Sequence, residues 1–184
     1  YNVALGVPTI SLRPAELAAE VEADPWVARA KAEISWPGTI NITVLEHEPI
    51  AWLKIEGEWF RASVTGALLE MSTPSKRGAR VRLGGIRGEL GETLTGARAT
   101  GALEFLATLP KDLRKNAVVR SGGAGTLVAR IDGHLVDLGT PLDMRENAAT
   151  LTALLESGIP EGAAISVVSP LRPAIRNPQQ VVEG

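Results

Sequence analysis

Two alternating apolar runs, separated by a proline–glycine pair, constrain the fold of this chain more than any other feature. Ala32, Ile34 and Trp36 recur at every second position, and residues 40–45 read Ile-Asn-Ile-Thr-Val-Leu. A period of two is that of a half-buried strand, and Pro37-Gly38 between the runs is a turn signal. Residues 31–36 and 40–45 are therefore expected to pair antiparallel. Upstream, Pro14 suits the first turn of a helix, where its missing N–H costs nothing. Leu17 and Val21 share one helical face, which predicts a helix over residues 14–22. Asp24-Pro25 ends it, and Pro25 opens a short turn containing Trp26 and Val27.

After Pro49 the pattern turns to pure β. Residues 51–55, 58–64 and 67–71 are expected as a meander, with Glu56-Gly57 and Thr65-Gly66 as tight turns. Residues 72–96 are polar and glycine-rich, with Val81, Leu83, Ile86 and Leu90 as apolar anchors, and read as a long ordered loop with short extended pieces. A helix follows at 100–109 with Leu103, Phe105 and Leu106 inward, then a strand at 118–121. Residues 126–131 and 134–138 form the clearest hairpin, because Asp132-Gly133 supplies both positive-φ positions of a type I′ turn. Asp143 with Glu146 makes a capping-box pattern for a helix over 143–157, whose stripe is Met144, Ala148, Leu151 and Leu155. Gly158 stands where a terminating glycine belongs. A last strand is expected over 163–169, ahead of a tail carrying Pro170, Pro173 and Pro178. The expected fold class is α+β: a small α/β module followed by a mostly antiparallel β domain with two flanking helices.

Composition narrows the chemistry. The 184 residues are 45% hydrophobic and 22% charged, a globular balance. The net charge of −2, with no block of like charge, argues against nucleic acid or an anionic membrane held by bulk electrostatics. No apolar run reaches the roughly 18 residues that span a bilayer, and no signal-peptide pattern opens the chain. Cysteine is absent, which excludes disulfides, thiol nucleophiles and thiolate metal sites.

Each candidate for chemistry has a plainer reading. Residues 122–125, Gly-Gly-Ala-Gly, join two strands rather than opening a helix, so a turn is favoured over a phosphate cradle. In a strand Glu46 and Glu48 face one way and His47 the other, so the three cannot share an ion. His134 beside Asp132 is expected on a solvated turn. Asp137 and Asp143 would be the carboxylates of a glycosidase-like pair, but Asp143 is already used as a helix cap. Trp26, Trp36, Trp52 and Trp59 alternate with apolar strand positions and are assigned to core or interdomain packing rather than to sugar stacking. No catalytic residue, cofactor or metal ligand is expected.

One feature favours interaction. Residues 164–168 follow a helix and precede prolines, which belong at sheet edges because they cannot donate to a ladder. A terminal strand of this kind either exposes an edge that accepts a partner strand or is protected by its prolines.

Taken together, Pro25-Trp26-Val27, Trp36-Pro37, the Ile/Val strand at 40–44 and Pro49-Ile50-Ala51-Trp52 resemble the extracytoplasmic region of the FtsQ/DivIB cell-division family. Gly139-Thr140-Pro141 before a helix and the closing Ile165-Ser166-Val167 strand with its prolines extend the likeness over most of the chain. The resemblance implies an N-terminally incomplete POTRA domain over residues 1–52, since Tyr1 to Pro8 leaves no room for the strand and helix that open that module. It implies an FtsQ-type β domain over 53–178 and a tail over 179–184. It implies a non-enzymatic scaffold, anchored in the cell membrane by a single upstream helix outside this chain and enriched at the division septum. Its partners would be FtsB/DivIC-type and FtsL-type proteins, and its role would be control of septal peptidoglycan synthesis. Carried onto this chain, the partner-binding residues would be Ile165, Ser166, Val167 and Val168, helped by Leu151 and Leu155. Two alternatives stand beside it: another POTRA-bearing envelope assembly or secretion protein, and an envelope glycan hydrolase using Asp137 or Asp143.

Overall fold

The computed structural model describes residues 13–35 and 38–176. Trp36, Pro37 and Pro178, on which several expectations fall, lie outside the described residues, as does everything said of residues 1–8 and 179–184.

The small module is a helix on a two-stranded sheet. Helix α1 (Pro14–Glu22) begins with proline in its first turn, as expected. The Asp24 carboxylate accepts the Trp26 N–H at 2.9 Å, and the Val27 N–H donates to the Asp24 carbonyl at 2.9 Å. This Asx turn delivers the chain straight into β1 (Val27–Ser35), so the strand starts four residues before the expected Lys31. β1 pairs antiparallel with β2 (Thr39–Glu46), with a register shift between Val27 and Arg29. Val21, Val27 and Ala30 make a small core, with Ala18 packed against it.

The larger unit is a nine-stranded mixed sheet in the order β11-β10-β9-β8-β7-β6-β3-β4-β5. Its first strands are β3 (Pro49–Ile55), β4 (Glu58–Ser63) and β5 (Leu68–Met71), the expected meander. All of β3 belongs to this sheet, so the break between the two sheets falls at His47-Glu48, ahead of the expected boundary at Trp52. β6 (Arg80–Arg82) is a short extended piece of the kind expected within 72–96, and its place in the sheet is what the sequence did not reveal. It inserts parallel between β3 and β7 (Val118–Ser121), and Val81 is fully buried. Three residues flanked by glycines carry too little periodicity to announce such a strand. β8 (Leu127–Ile131) and β9 (His134–Gly139) form the predicted hairpin, with φ of 47° at Asp132 and 82° at Gly133.

Helix α2 (Ala97–Thr108), the short α3 (Lys111–Arg114) and α4 (Met144–Glu156) complete the helices. Leu103, Phe105 and Leu106 of α2 and Met144, Ala148 and Leu151 of α4 enter one core with the inward residues of the sheet. α2 and α4 touch closely because residue 101 is glycine: a Cβ there would sit 2.8 Å from the Pro141 side chain. Gly158, with φ of 80°, ends α4 as expected. The capping box does not form. Asp143 adopts φ 51°, ψ 36° and makes no side-chain cap, while its carbonyl accepts the Asn147 N–H at 2.9 Å. The helix start is anchored instead by Asn147, buried, whose Nδ2 donates to the Leu138 carbonyl at 3.1 Å.

Candidate functional site

The expected partner-binding residues fall at the far end of the sheet. β10 (Ala164–Ser166) pairs parallel with β9, setting Ala164, Ile165 and Ser166 opposite Leu135, Val136 and Asp137. Its other side is taken by β11 (Ala174–Arg176), antiparallel, with Ser166 opposite Ala174 and Ala164 opposite Arg176. The expected docking strand therefore lies one position inside the sheet, and β11 is the edge. The chain turns back between them over Pro170 and Pro173, where the Arg172 N–H donates to the Ser169 carbonyl and Thr150 Oγ1 of α4 donates to the Pro170 carbonyl.

Burial separates the residues carried over from the family. Ile165, Val167 and Leu151 are sealed in the core, and Leu155 packs against it. Ile165, Val167 and Leu151 hold the edge in place and present no surface, while Leu155 is half-buried. Ser166 is half-buried, and Val168, 51% exposed, packs over Gly139, where a Cβ would come within 2.9 Å of its side chain. The residues that sequence reasoning left in the tail, Ala174, Ile175 and Arg176, are all exposed.

The direction of the edge backbone follows from alternation. The Val167 N–H donates to the Asp137 carbonyl of β9 at 3.0 Å. Residues two apart in a strand point their polar groups the same way, so Ile165 also faces β9, and Ala164 and Ser166 face β11. Ala174 and Arg176 therefore carry the ladder to β10, and the N–H and C=O of Ile175 point outward. Among the described residues nothing pairs with them. An outward donor and acceptor flanked by exposed side chains is what strand addition requires. The signal in the sequence was a single β-branched residue between Pro173 and Pro178, too short to read as a strand.

The other candidates resolve into structure. His134 is buried rather than solvated, and its Nδ1–H donates to the Ala163 carbonyl at 3.0 Å, tying β9 to the approach into β10. The Asp137 carboxylate accepts the Gly139 N–H at 3.0 Å. The glycines at 122–125 form a turn closed by the Gly122 N–H on the Thr126 carbonyl, as expected. Among the described residues no cluster of three or more His, Asp or Glu is placed to hold a metal. Trp52 and Trp59 depart from the expected core packing: both stand half-buried on the outer face of the sheet, beneath cations. Trp26 does sit at the junction, where Arg61 of β4 lies over its ring at 5.2 Å and over Trp52 at 5.6 Å.

Among the described residues no helix is long and apolar enough to cross a membrane. No curated protein matches the chain. Residues 2–47 match the family model described as POTRA domain, FtsQ-type, and the two-stranded sheet, whose last strand ends at Glu46, lies within that span. The match covers the small module and stops short of the nine-stranded sheet, and it is consistent with the extracytoplasmic region of the FtsQ/DivIB family.

Proposed function

We propose that this chain is the extracytoplasmic part of an FtsQ-like cell-division protein and acts as a non-enzymatic scaffold of the divisome. The POTRA match carries the family reading. The outward backbone of Ile175 on an exposed edge strand supports the mechanism. In this reading residues 1–47 form the POTRA portion and the sheet from Pro49 onward is the partner-binding β domain. An FtsB/DivIC-type segment adds as a further strand beside β11. Main-chain hydrogen bonds supply affinity, and Ala174, Ile175 and Arg176 with neighbouring Ser166 and Val168 supply selectivity. The FtsL-type protein joins through that complex, and the assembly controls septal peptidoglycan synthesis. An upstream membrane helix holds the protein at the division site.

The test is calorimetric titration of the protein with the extracytoplasmic segments of the FtsB/DivIC-type and FtsL-type proteins of the same organism. Saturable binding is expected, and Ile175→Pro is expected to weaken it at least about tenfold, because proline removes the outward N–H while sparing the ladder to β10. Undiminished binding by the proline variant overturns the edge mechanism. No binding to either segment by the folded protein overturns the scaffold reading.

A further inference from the structure

The pairing register gathers cations that are far apart in sequence onto the outer face of the large sheet. Lys54 of β3 stands beside Arg82 of β6, and Arg82 beside Arg120 of β7. In the neighbouring row Arg61 of β4 flanks Trp52, Trp52 flanks Arg80, and Val118 separates Arg80 from Arg130 of β8. The alternate residues Leu53, Val81, Val119 and Ala129 point into the core, so this face is the one that α2 and α4 leave uncovered. Among the described residues Lys54, Arg80, Arg82, Arg120 and Arg130 form no ion pair, and only Arg61 has an acidic partner, Glu70 at 3.7 Å. A chain with a net charge of −2 thus carries a cationic stripe five strands wide, about 19 Å at the usual strand spacing.

We propose that this stripe is a second docking surface, distinct from the β11 edge, and that it receives an acidic, extended segment of a partner polypeptide. Its length equals that of about six extended residues. Guanidinium groups offer carboxylates a planar, two-point hydrogen-bonding fork. A cleft of about 280 Å³ beside Trp52, lined by Arg61 and Arg77, extends the stripe toward the junction with the small module. The tryptophans argue against a nucleic acid. Lys54 and Arg82 lie over the Trp59 ring at 5.8 and 5.4 Å, and Arg61 lies over Trp52, so the ring faces on which bases stack are already covered. A membrane surface is disfavoured because both rings are half-buried and project no apolar tip for insertion.

The experiment is a titration of the protein with acetylated, amidated hexaglutamate, read by tryptophan fluorescence and calorimetry. Hexalysine, phosphatidylglycerol vesicles and a ten-nucleotide oligothymidylate are run in parallel. Saturable binding of hexaglutamate alone is expected, weakening steadily as salt rises. Lys54→Glu with Arg82→Glu is expected to weaken it at least about tenfold. Ile175→Pro should bind it like the wild type, which separates this surface from the edge. Should the double reversal misfold by circular dichroism, Arg82→Gln replaces it, with an expected loss of about threefold. Failure of hexaglutamate to bind at low salt, or equal binding by the charge variants, overturns the proposal. Preference for vesicles or oligothymidylate overturns it in favour of lipid or nucleic acid, and loss of binding in Ile175→Pro overturns the separation of the two surfaces.

Discussion

At one side of the large sheet the outermost strand is covered by a loop; at the other, no described residue covers it. Beside β5, residues 91–94 of the same chain supply what a neighbouring strand would. The Leu68 N–H donates to the Glu92 carbonyl at 2.9 Å, the Gly91 N–H to the Leu68 carbonyl at 2.9 Å, and the Leu94 N–H to the Gly66 carbonyl at 3.0 Å. Beside β11 the described chain offers nothing comparable. Uncovered edges invite unwanted pairing, and proteins usually blunt them. Among the described residues β11 is blunted only by its length of three residues and by Arg176, while the opposite edge is closed by a loop of its own. The difference teaches that the two edges of one sheet are closed by different means: a returning loop at β5, and, among the described residues, strand shortness and a charge at β11.

Substitutions at each side test that contrast. The largest effect is expected just inside the open edge. Val167→Pro deletes the bond to the Asp137 carbonyl and forces a ring into a fully buried site, so it should destabilise the fold by about 3 kcal/mol or more in urea denaturation. A Val167→Pro variant of normal stability would show that β10 is not an interior strand. Next comes the covered edge. Gly66 has φ of 90°, and a Cβ there would lie 2.6 Å from the Leu94 carbonyl oxygen. Gly66→Val should cost about 2 kcal/mol and speed hydrogen exchange at Leu68 and Leu94 as the covering segment lifts. Unchanged exchange would mean that the loop covers the edge without these bonds.

The smallest effect lies on the two-stranded sheet, away from both edges, and serves as a control. Lys31 and Glu33 pair at 2.5 Å on exposed β1. The hydrogen bond from Lys31, and then its charge, hold the Glu33 carboxyl below its ordinary range, and Glu33 raises Lys31 in return. The small contribution of Glu33 is thus present above the ordinary carboxylate pKa and is lost as pH falls through its lowered value. That of Lys31 is present below the ordinary lysine pKa and is lost as pH rises through its raised value. An NMR titration should show Glu33 titrating below an ordinary glutamate and returning to the ordinary range in Lys31→Met, with no change at either edge. A Glu33 midpoint unmoved by that substitution would dismiss the pair.

What the sequence made legible is what neighbours in the chain decide. Asp132-Gly133 could only be a tight hairpin turn, and Gly158 could only end a helix, because each needs a backbone conformation that few residues tolerate. Asp143 shows the limit of local rules: the capping residues are present, but the buried Asn147 amide holds the helix start to β9 instead. The pairing of β6 and the existence of β11 were illegible because three residues carry no period, and the partners of β6 lie far away in sequence. The cationic stripe was hidden for the same reason. Composition showed an almost neutral chain without charge blocks, and only the register set Lys54, Arg82 and Arg120 side by side.

The contact of Arg61 with Trp26 and Trp52 has a mechanical consequence. The small module leaves the large sheet through a single strand connection at His47-Glu48, and a guanidinium bridging two indoles resists turning about that link without locking it. Attraction between a cation and a ring is worth roughly 1 kcal/mol near solvent, about a fivefold bias in population. Such a joint behaves as a detent: it favours one angle at rest and gives way under modest load.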